Sequence, residues 1–326
     1  MVRISQLPQW MSDAYAVDEE ARAYIRALEA LGPQNYERLT VKQARAALER
    51  ASVPLPSIAR RVCLSRARDL HGVLYGPPQR RRDTGLVLYL HGGGFVMGDA
   101  TSASALCERM AADTGCPVLA LDYRLAPEAR FPAAVDDCVF ALRWAVENAH
   151  WGGWDATRMA VSGQSAGGNL AAVTAQLWKY ARPALRAQLL ICPLTDFRPG
   201  QHASRVQLAH NIVLSADAIA WFERCYLSSP AERQDPRASP LLAADLSGLA
   251  PAYVITAAGD PLCDEGEAYA RALRQAGVPV SLTRYPSVHG FMELWTDLRQ
   301  GQLAVQRACA WLRSALAVPS HADARA

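Results

Sequence analysis

Short apolar runs alternate with segments of helical periodicity over most of this chain. The apolar runs are LVLYLHGGG, PVLALDY, RMAVSGQS, AQLLICPL, AYVITAAGD and VPVSLTRYP, and helical patterns lie between them. Runs of this length between helices are typical of parallel strands that are buried on both faces. Because crossovers between parallel strands are right-handed, the pattern predicts an α/β fold with a mostly parallel central sheet and helices on both faces.

Two segments depart from this alternation. Residues 14–31, and then VKQARAALERA behind a capping box of Thr40 and Gln43, predict two polar helices with no strand between them. The stretch of about forty residues between CPLTD and DPRASP is too long for a plain connection and includes a helix that Ser215 can cap. We interpret both segments as parts of a helical cap. RVCLSRARDLHGVLY predicts two short antiparallel edge strands.

These patterns divide the chain into five segments. We expect 1–55 to form the N-terminal part of the cap and 197–232 its inserted part. The α/β core then consists of 56–196 and 233–318, and we expect a disordered tail over 319–326.

Composition narrows the class of protein. A chain of 326 residues that is 51% hydrophobic can bury a sizeable core, and its net charge of +3 is too small to indicate nucleic acid or an acidic membrane surface as a partner. The N-terminus has no apolar signal core and no run is long enough to span a bilayer, so we expect a cytoplasmic protein with no membrane span. The eight cysteines form no C-x-x-C pair, which favours buried free thiols over disulfides or zinc.

The segment MAVSGQSAGGNLAA places Ser165 between a predicted strand and a predicted helix. Gly163 and Gly167 leave room for a sharp turn that exposes a nucleophile. Functional groups collect at the carboxyl ends of the strands in such a sheet, which is where this serine lies. A glycine-rich structural turn is the alternative, because G-x-S-x-G by itself is only moderately specific.

A serine nucleophile needs a base, an acid that orients the base, and an oxyanion hole. Asp260 ends one later strand and His289 follows the next, in the order that suits this topology. Asp264 is the rival acid, although capping of a helix explains its position. The glycines of YLHGGGFVMG can aim backbone N–H groups at an oxyanion; phosphate binding is disfavoured because no G-K-[ST] or G-x-G-x-x-G pattern follows.

Seven motifs run in a characteristic order over residues 85–315. They are HGGGF (91–95), DYRLAPE (122–128), FPAA (131–134), GQSAGGNLA (163–171), DPRASPLLA (235–243), DPLCDEGEAYA (260–270) and HGF (289–291). With them the chain resembles the hormone-sensitive lipase family of α/β-hydrolases, in its bacterial carboxylesterase branch. The resemblance implies an α/β-hydrolase fold and a serine carboxylesterase that forms a covalent acyl-enzyme and needs no metal or organic cofactor.

The resemblance also implies roles for individual residues. Ser165 would be the nucleophile, His289 the general base and Asp260 its orienting acid. His91 would shape the glycine loop. Backbone N–H groups form the oxyanion hole in this family, and the matching residues here are Gly93, Gly94 and Ala166.

The expected substrate is a small ester with a short- to medium-length acyl chain. An amide or lactone stays open, because the cap side chains that would select the leaving group cannot be placed from sequence. A binding protein on the same fold, such as the plant gibberellin receptor, is disfavoured because that receptor lacks the histidine that this chain has as His289. An interfacial lipase is disfavoured because this sequence shows no long apolar lid. The candidates to line the pocket are Phe95, Trp221 and Phe222, with Trp10, Met11 and Tyr15. For any single one of the cap residues among them, packing inside the cap is the alternative role.

Two further expectations concern Gln164 and the last strand. Most members of the family carry an acidic residue where this chain has Gln164, and we expect its absence to alter the acidity of protonated His289 slightly. VPVSLTRY is expected near the edge of the sheet, where it could pair with a second copy in a homodimer.

Overall fold

One sheet organises the fold of the described residues, which in this computed structural model are 13–32, 36–49, 59–79 and 84–317. Its order is β1-β2-β4-β3-β5-β6-β7-β8; β1 and β2 run antiparallel to their neighbours and the other pairs are parallel. The predicted mostly parallel sheet with an antiparallel edge pair is confirmed. The strands of this part of the chain are β1 (Ala59–Ser65), β2 (Leu70–Tyr75), β3 (Thr84–Leu90), β4 (Val118–Asp122), β5 (Trp154–Gln164), β6 (Ala187–Ile191), β7 (Ala252–Gly259) and β8 (Val280–Val288).

Helices cover both faces of this sheet. Alternate residues of β3 show the division, because Leu88 packs in the hydrophobic core that contains α4 and α6, whereas Val87 packs in the core that contains α3 and α10. The α-helices of the described residues are α1 (Glu19–Leu31), α2 (Val41–Glu49), α3 (Ser104–Thr114), α4 (Ala133–Glu147), α5 (Ala149–Gly152), α6 (Ala166–Leu177), α7 (Ala203–Gln207), α8 (Ala216–Tyr226), α9 (Cys263–Gln275) and α10 (Arg299–Ala315).

Local side-chain caps decide where several helices begin. Asp18 accepts a hydrogen bond from the Ala21 amide, so α1 begins at Glu19, later than the apolar periodicity predicted. The predicted capping box before α2 is confirmed: the Thr40 amide donates to Gln43 Oε1 at 2.9 Å, and the Gln43 amide donates to Thr40 Oγ1 at 3.3 Å. The Ser215 cap of α8 is also present.

The two predicted cap segments meet in space. Tyr36 stacks on Trp221 of α8, with ring centroids 6.5 Å apart, and lies 5.7 Å from the ring of Phe222. The segment boundaries themselves stay predictions. Trp10, Met11, residues 50–58 and the tail over 319–326 lie outside the described residues.

Strand β8 lies at the sheet edge and pairs with β7, and the homodimer through it stays a prediction. Among the described helices, none has the length and apolar character that crossing a membrane requires. The cytoplasmic location is a prediction as well. All eight cysteines lie in the described ranges as free thiols, but Cys63 is exposed and Cys225 half-buried, unlike the burial expected of them.

Candidate active site

The turn between β5 and α6 holds Ser165 in a conformation that side chains rarely adopt, with φ 58° and ψ −118°. Glycines flank it because the backbone is crowded there. A Cβ on Gly163 would lie 2.2 Å from the Gly167 carbonyl oxygen, and one on Gly167 would lie 1.9 Å from the Leu90 carbonyl oxygen. The sharp turn therefore requires both glycines, as the sequence pattern predicted.

The fold brings Ser165, His289 and Asp260 together from the ends of three strands. His289 Nε2 lies 3.0 Å from Ser165 Oγ, and His289 Nδ1 lies 2.8 Å from Asp260 Oδ2. Asp264 lies elsewhere, where its carboxylate accepts hydrogen bonds from the Tyr15 hydroxyl and the Ser204 amide, each at 2.8 Å. This geometry is that of a nucleophile, a base and an orienting acid.

The surroundings of His289 favour its protonated form. Burial opposes the charge, but the Asp260 carboxylate outweighs it with help from Glu293 and Glu265, so the pKa of His289 lies above its usual value. Asp260 is fully buried, and its second oxygen, Oδ1, accepts a hydrogen bond from the Leu262 amide at 2.9 Å. An imidazole held in this way can take a proton from Ser165 Oγ and keep it near a fixed negative charge.

The glycine loop after β3 is held from behind by backbone and side-chain contacts. Gly93 and Gly94 adopt positive φ angles of 102° and 62°. The Phe95 carbonyl accepts from the Ala126 amide at 2.9 Å, and Arg45 of α2 donates through Nε to the Val96 carbonyl at 2.8 Å. The loop is therefore fixed before any substrate arrives, as electrostatic stabilisation of an oxyanion requires.

His91 belongs to the support of this loop. It is buried, its ring stacks on Tyr123 with centroids 4.2 Å apart, and Nδ1 lies 2.7 Å from the Gly92 carbonyl oxygen. Burial lowers the pKa of His91, against the opposing effect of the Gly92 carbonyl. A neutral imidazole packed in this way braces the backbone of the loop.

A cavity of about 190 Å³ opens over Ser165 and His289. Phe95 and Phe222 line it, whereas Trp221 and Tyr15 are not among the described residues at its wall: Trp221 packs edge-on against Phe222, with centroids 5.0 Å apart. The lining residues are Tyr36, Gly92, Gly93, Gly94, Phe95, Met97, Ser102, Gln164, Ser165, Ala166, Leu194, Phe197, Val213, Leu214, Ile219, Phe222, Leu262, His289, Gly290 and Glu293.

Sequence reasoning missed two groups beside the site. Glu293 lines the cavity next to Gln164, and burial raises the pKa of Glu293 to about 7 against the opposing effects of His289, Gln164 and Tyr89. The sequence signal that could have identified Glu293 is an acidic residue four residues after His289, in HGFMELW. Cys192 is fully buried and has a φ of 43°. Its sulfur lies within 4.8 Å of a carboxylate oxygen of Asp260 and of a ring nitrogen of His289. Burial raises the pKa of its thiol well above the usual value.

Comparisons with known proteins show which family this chain belongs to. A family model described as an alpha/beta hydrolase fold matches residues 87–293. The chain is 45% identical over 234 residues to the ethyl acetate hydrolase of Pseudomonas putida, which covers 70% of this chain and 73% of that protein. It is 40% identical over 297 residues to the carboxylic ester hydrolase LipN of Mycobacterium tuberculosis, covering 87% and 73% of the two chains.

Solved structures extend the likeness to the whole fold. The hyperthermophilic esterase of the archaeon Pyrobaculum calidifontis superposes with a TM-score of 0.87 at 36% identity, covering 93% of this chain and all of the esterase. A thermostable esterase from Pseudomonas putida superposes with a TM-score of 0.86 at 33% identity, covering 94% of this chain and all of the other. The predicted α/β-hydrolase fold is confirmed.

Proposed function

Because this chain belongs to the hormone-sensitive-lipase-like carboxylesterase family of α/β-hydrolases and is a carboxylic ester hydrolase, we propose that it cleaves short- to medium-chain acyl esters through Ser165, His289 and Asp260. The observation that carries this proposal is the continuous hydrogen-bonded series from Ser165 Oγ through His289 to Asp260, at 3.0 and 2.8 Å. A receptor on this fold would lack the histidine base. Here His289 is present and lies within hydrogen-bond distance of Ser165, so the receptor alternative lacks support.

In the acylation step, Ser165 Oγ attacks the ester carbonyl carbon and its proton passes to His289 Nε2. Asp260 stabilises the resulting imidazolium through Nδ1. The carbonyl oxygen becomes an oxyanion, which accepts hydrogen bonds from backbone N–H groups of Gly93, Gly94 and Ala166. As the tetrahedral intermediate collapses, His289 gives the proton to the departing alcohol oxygen, and the acyl group stays on Ser165.

Deacylation repeats these steps with water as the nucleophile. His289 takes a proton from the water as the water oxygen attacks the acyl carbon, and the same backbone N–H groups hold the second oxyanion. Collapse returns the proton to Ser165 Oγ and releases the carboxylic acid. No step requires a group from outside the protein other than substrate and water.

Cavity size and lining support a small substrate. A volume of about 190 Å³ lies below the roughly 300–1,000 Å³ of sites that hold drug-sized ligands. Phe95 and Phe222 supply apolar surface beside Ser165, and Trp221 supports Phe222 from behind. We assign segments 1–55 and 197–232 to the cap, whose described residues Tyr36 and Phe222 line the cavity and limit acyl length. The name of the Pseudomonas putida relative, ethyl acetate hydrolase, agrees with short groups on both sides of the ester.

Hydrolysis of p-nitrophenyl esters with two to twelve acyl carbons tests the proposal. We expect kcat/KM to be highest at short chains, and Ser165→Ala to lose activity by roughly a millionfold in kcat. Ser162→Ala is the matched control, because this serine lies in β5 three residues before Ser165, is fully buried and has no hydrogen-bond partner among the described residues. Folded protein that hydrolyses none of these esters, or a Ser165→Ala variant that keeps full activity, contradicts the proposal. Anilides of the preferred acyl group measure amide cleavage separately.

A further inference from the structure

One wall of the active-site cavity carries a carboxyl group that the proposed reaction does not use. Glu293 lies in the turn after β8, where its amide donates to the Gly290 carbonyl at 2.9 Å. Its side chain lines the same cavity as Ser165 and His289. The Glu293 side chain is half-buried, and a carboxyl that faces a largely apolar cavity is costly unless it meets hydrogen-bond donors or a positive charge, so its presence needs a physical reason.

The hydrogen-bonding groups on this wall are mainly acceptors. Gln164 is buried, lines the cavity, and its Oε1 atom has no hydrogen-bond donor among the described residues. The Glu293 carboxyl lies beside it, where it accepts a hydrogen bond from the Gln164 side chain and keeps further acceptor sites. Ser102 also lines the cavity, but its hydroxyl is engaged with Asp99, donating to the carboxylate at 3.2 Å and accepting from the amide at 2.8 Å.

The side chains at the remaining wall are predominantly apolar. They come from the cap and the loop after β6, and they include Leu194, Phe197, Val213, Leu214, Ile219 and Phe222. A substrate that placed only hydrocarbon against this wall would leave the buried Gln164 Oε1 atom without a donor and would shield the half-buried Glu293 carboxyl from water. A substrate with a hydroxyl or amino group at that position would satisfy them, because such a group supplies the missing O–H or N–H.

We propose that Glu293 and Gln164 form an acceptor subsite that selects esters carrying a hydroxyl or amino group close to the ester bond. This inference rests on the proposed function, because it concerns the substrate of the same Ser165 reaction. Discrimination of this kind is strong when a site is built to bond a polar group, since the analogue lacking the group leaves buried polar atoms unpaired. Above its pKa of about 7 the Glu293 carboxyl is ionised, and hydrogen bonds to a charged carboxylate are stronger than those between neutral groups.

Isosteric ester pairs test the subsite on each side of the ester bond. On the alcohol side, 2-hydroxyethyl butanoate is compared with propyl butanoate; on the acyl side, ethyl 3-hydroxybutanoate is compared with ethyl 3-methylbutanoate. Each kcat/KM is divided by the rate constant for alkaline hydrolysis of that ester. At about pH 8.5, above the pKa of Glu293, we expect the hydroxyl member of at least one pair to be preferred roughly tenfold, because a bond to a charged acceptor has about that effect. The pair that shows the preference identifies the side.

Variants then locate the preference. Glu293→Leu is expected to bring the ratio within a pair close to one, and the isosteric Glu293→Gln to reduce it at least threefold while keeping the shape of the side chain. Ser102→Ala is the matched control, because its hydroxyl is engaged with Asp99 and the ratio should not change. Glu293 also acts on the charge of His289, but that effect is common to both esters of a pair and cancels in the ratio.

The outcomes distinguish a failure of the acceptor subsite from a failure of the proposed function. Ratios near one in the unaltered protein, or a preference that both Glu293 variants retain, overturn the acceptor subsite. If neither these four esters nor p-nitrophenyl acetate is hydrolysed by folded protein, the proposed function fails and the subsite with it. Hydrolysis of all four esters without discrimination overturns the subsite alone. If Glu293→Leu does not fold, Glu293→Gln carries the comparison.

Discussion

An alanine at position 94 tests how the cap and the glycine loop after β3 depend on one another. Gly94 has a φ of 62°, and a Cβ built on it would lie 2.2 Å from Cδ1 of Phe222 in α8. The Phe222 ring has little room to yield, because Tyr36 lies 5.7 Å away and Trp221 5.0 Å away between centroids. Gly94→Ala therefore forces either the loop or the cap helix to move.

The size of the effect follows from this geometry. The contact would be about 1.2 Å inside the 3.4 Å at which ordinary contact begins, so the displacement exceeds the tolerance for placing an oxyanion donor. Loss of one such donor costs roughly a hundredfold to a thousandfold in kcat. The positive φ itself adds about 1–2 kcal/mol of lost stability. We therefore expect kcat to fall at least a hundredfold, with a melting temperature only a few degrees lower.

A second substitution separates steric conflict from backbone strain. Phe222→Ala in the Gly94→Ala background removes the obstructing ring and should recover at least tenfold of the lost kcat. The same change should not rescue Gly93→Ala, whose Cβ would meet the Met97 carbonyl oxygen at 2.3 Å. All variants and the Phe222→Ala single change are assayed with p-nitrophenyl acetate, and folding is followed by circular dichroism. If Gly94→Ala loses as much kcat with Phe222→Ala as without it, the steric explanation is refuted.

Three further predictions concern the base, the loop and the core. His289 acts as a base only when neutral and its pKa is raised above 6.5, so kcat/KM should decline as pH falls through a midpoint above that value; Glu293→Gln removes the negative charge that Glu293 carries above its own pKa of about 7 and should move the midpoint to lower pH, whereas the exposed Glu147→Gln should not. A profile with its midpoint below 6.5 contradicts this. Arg45→Met removes the donors to the Val96 and Ala126 carbonyls and should lower kcat about tenfold, while Lys42→Met, exposed on the same helix, should have no effect; equal kcat values would show that the loop holds itself. Glu265→Leu leaves the Arg205 guanidinium without its carboxylate partner 2.6 Å away and should destabilise the fold by about 3–5 kcal/mol; a thermal scan beside Glu147→Gln that shows no drop rules this out.

Much of the fold could be predicted because its signals are local. The alternation of apolar runs and helices reflects the burial of each strand on two faces, and the turn at Ser165 needs small neighbours within two residues of it. The order of Asp260 and His289 along the chain then follows from where strands end in a parallel sheet. The beginning of α1 was also encoded locally, in Asp18, but the apolar periodicity hid it.

Other features depended on tertiary packing. Arg45 bonds a carbonyl 51 residues away, and Glu293 meets Gln164 at one wall of the cavity because segments far apart in the chain pack together there. The contact of Phe222 with Gly94 requires α8 to lie on the glycine loop after β3. By itself the sequence determined the elements and the candidate nucleophile, because hydrogen-bonded turns, caps and strand burial act over a few residues. Only the tertiary structure decided which polar groups share the cavity, because that depends on how segments far apart in the chain pack together.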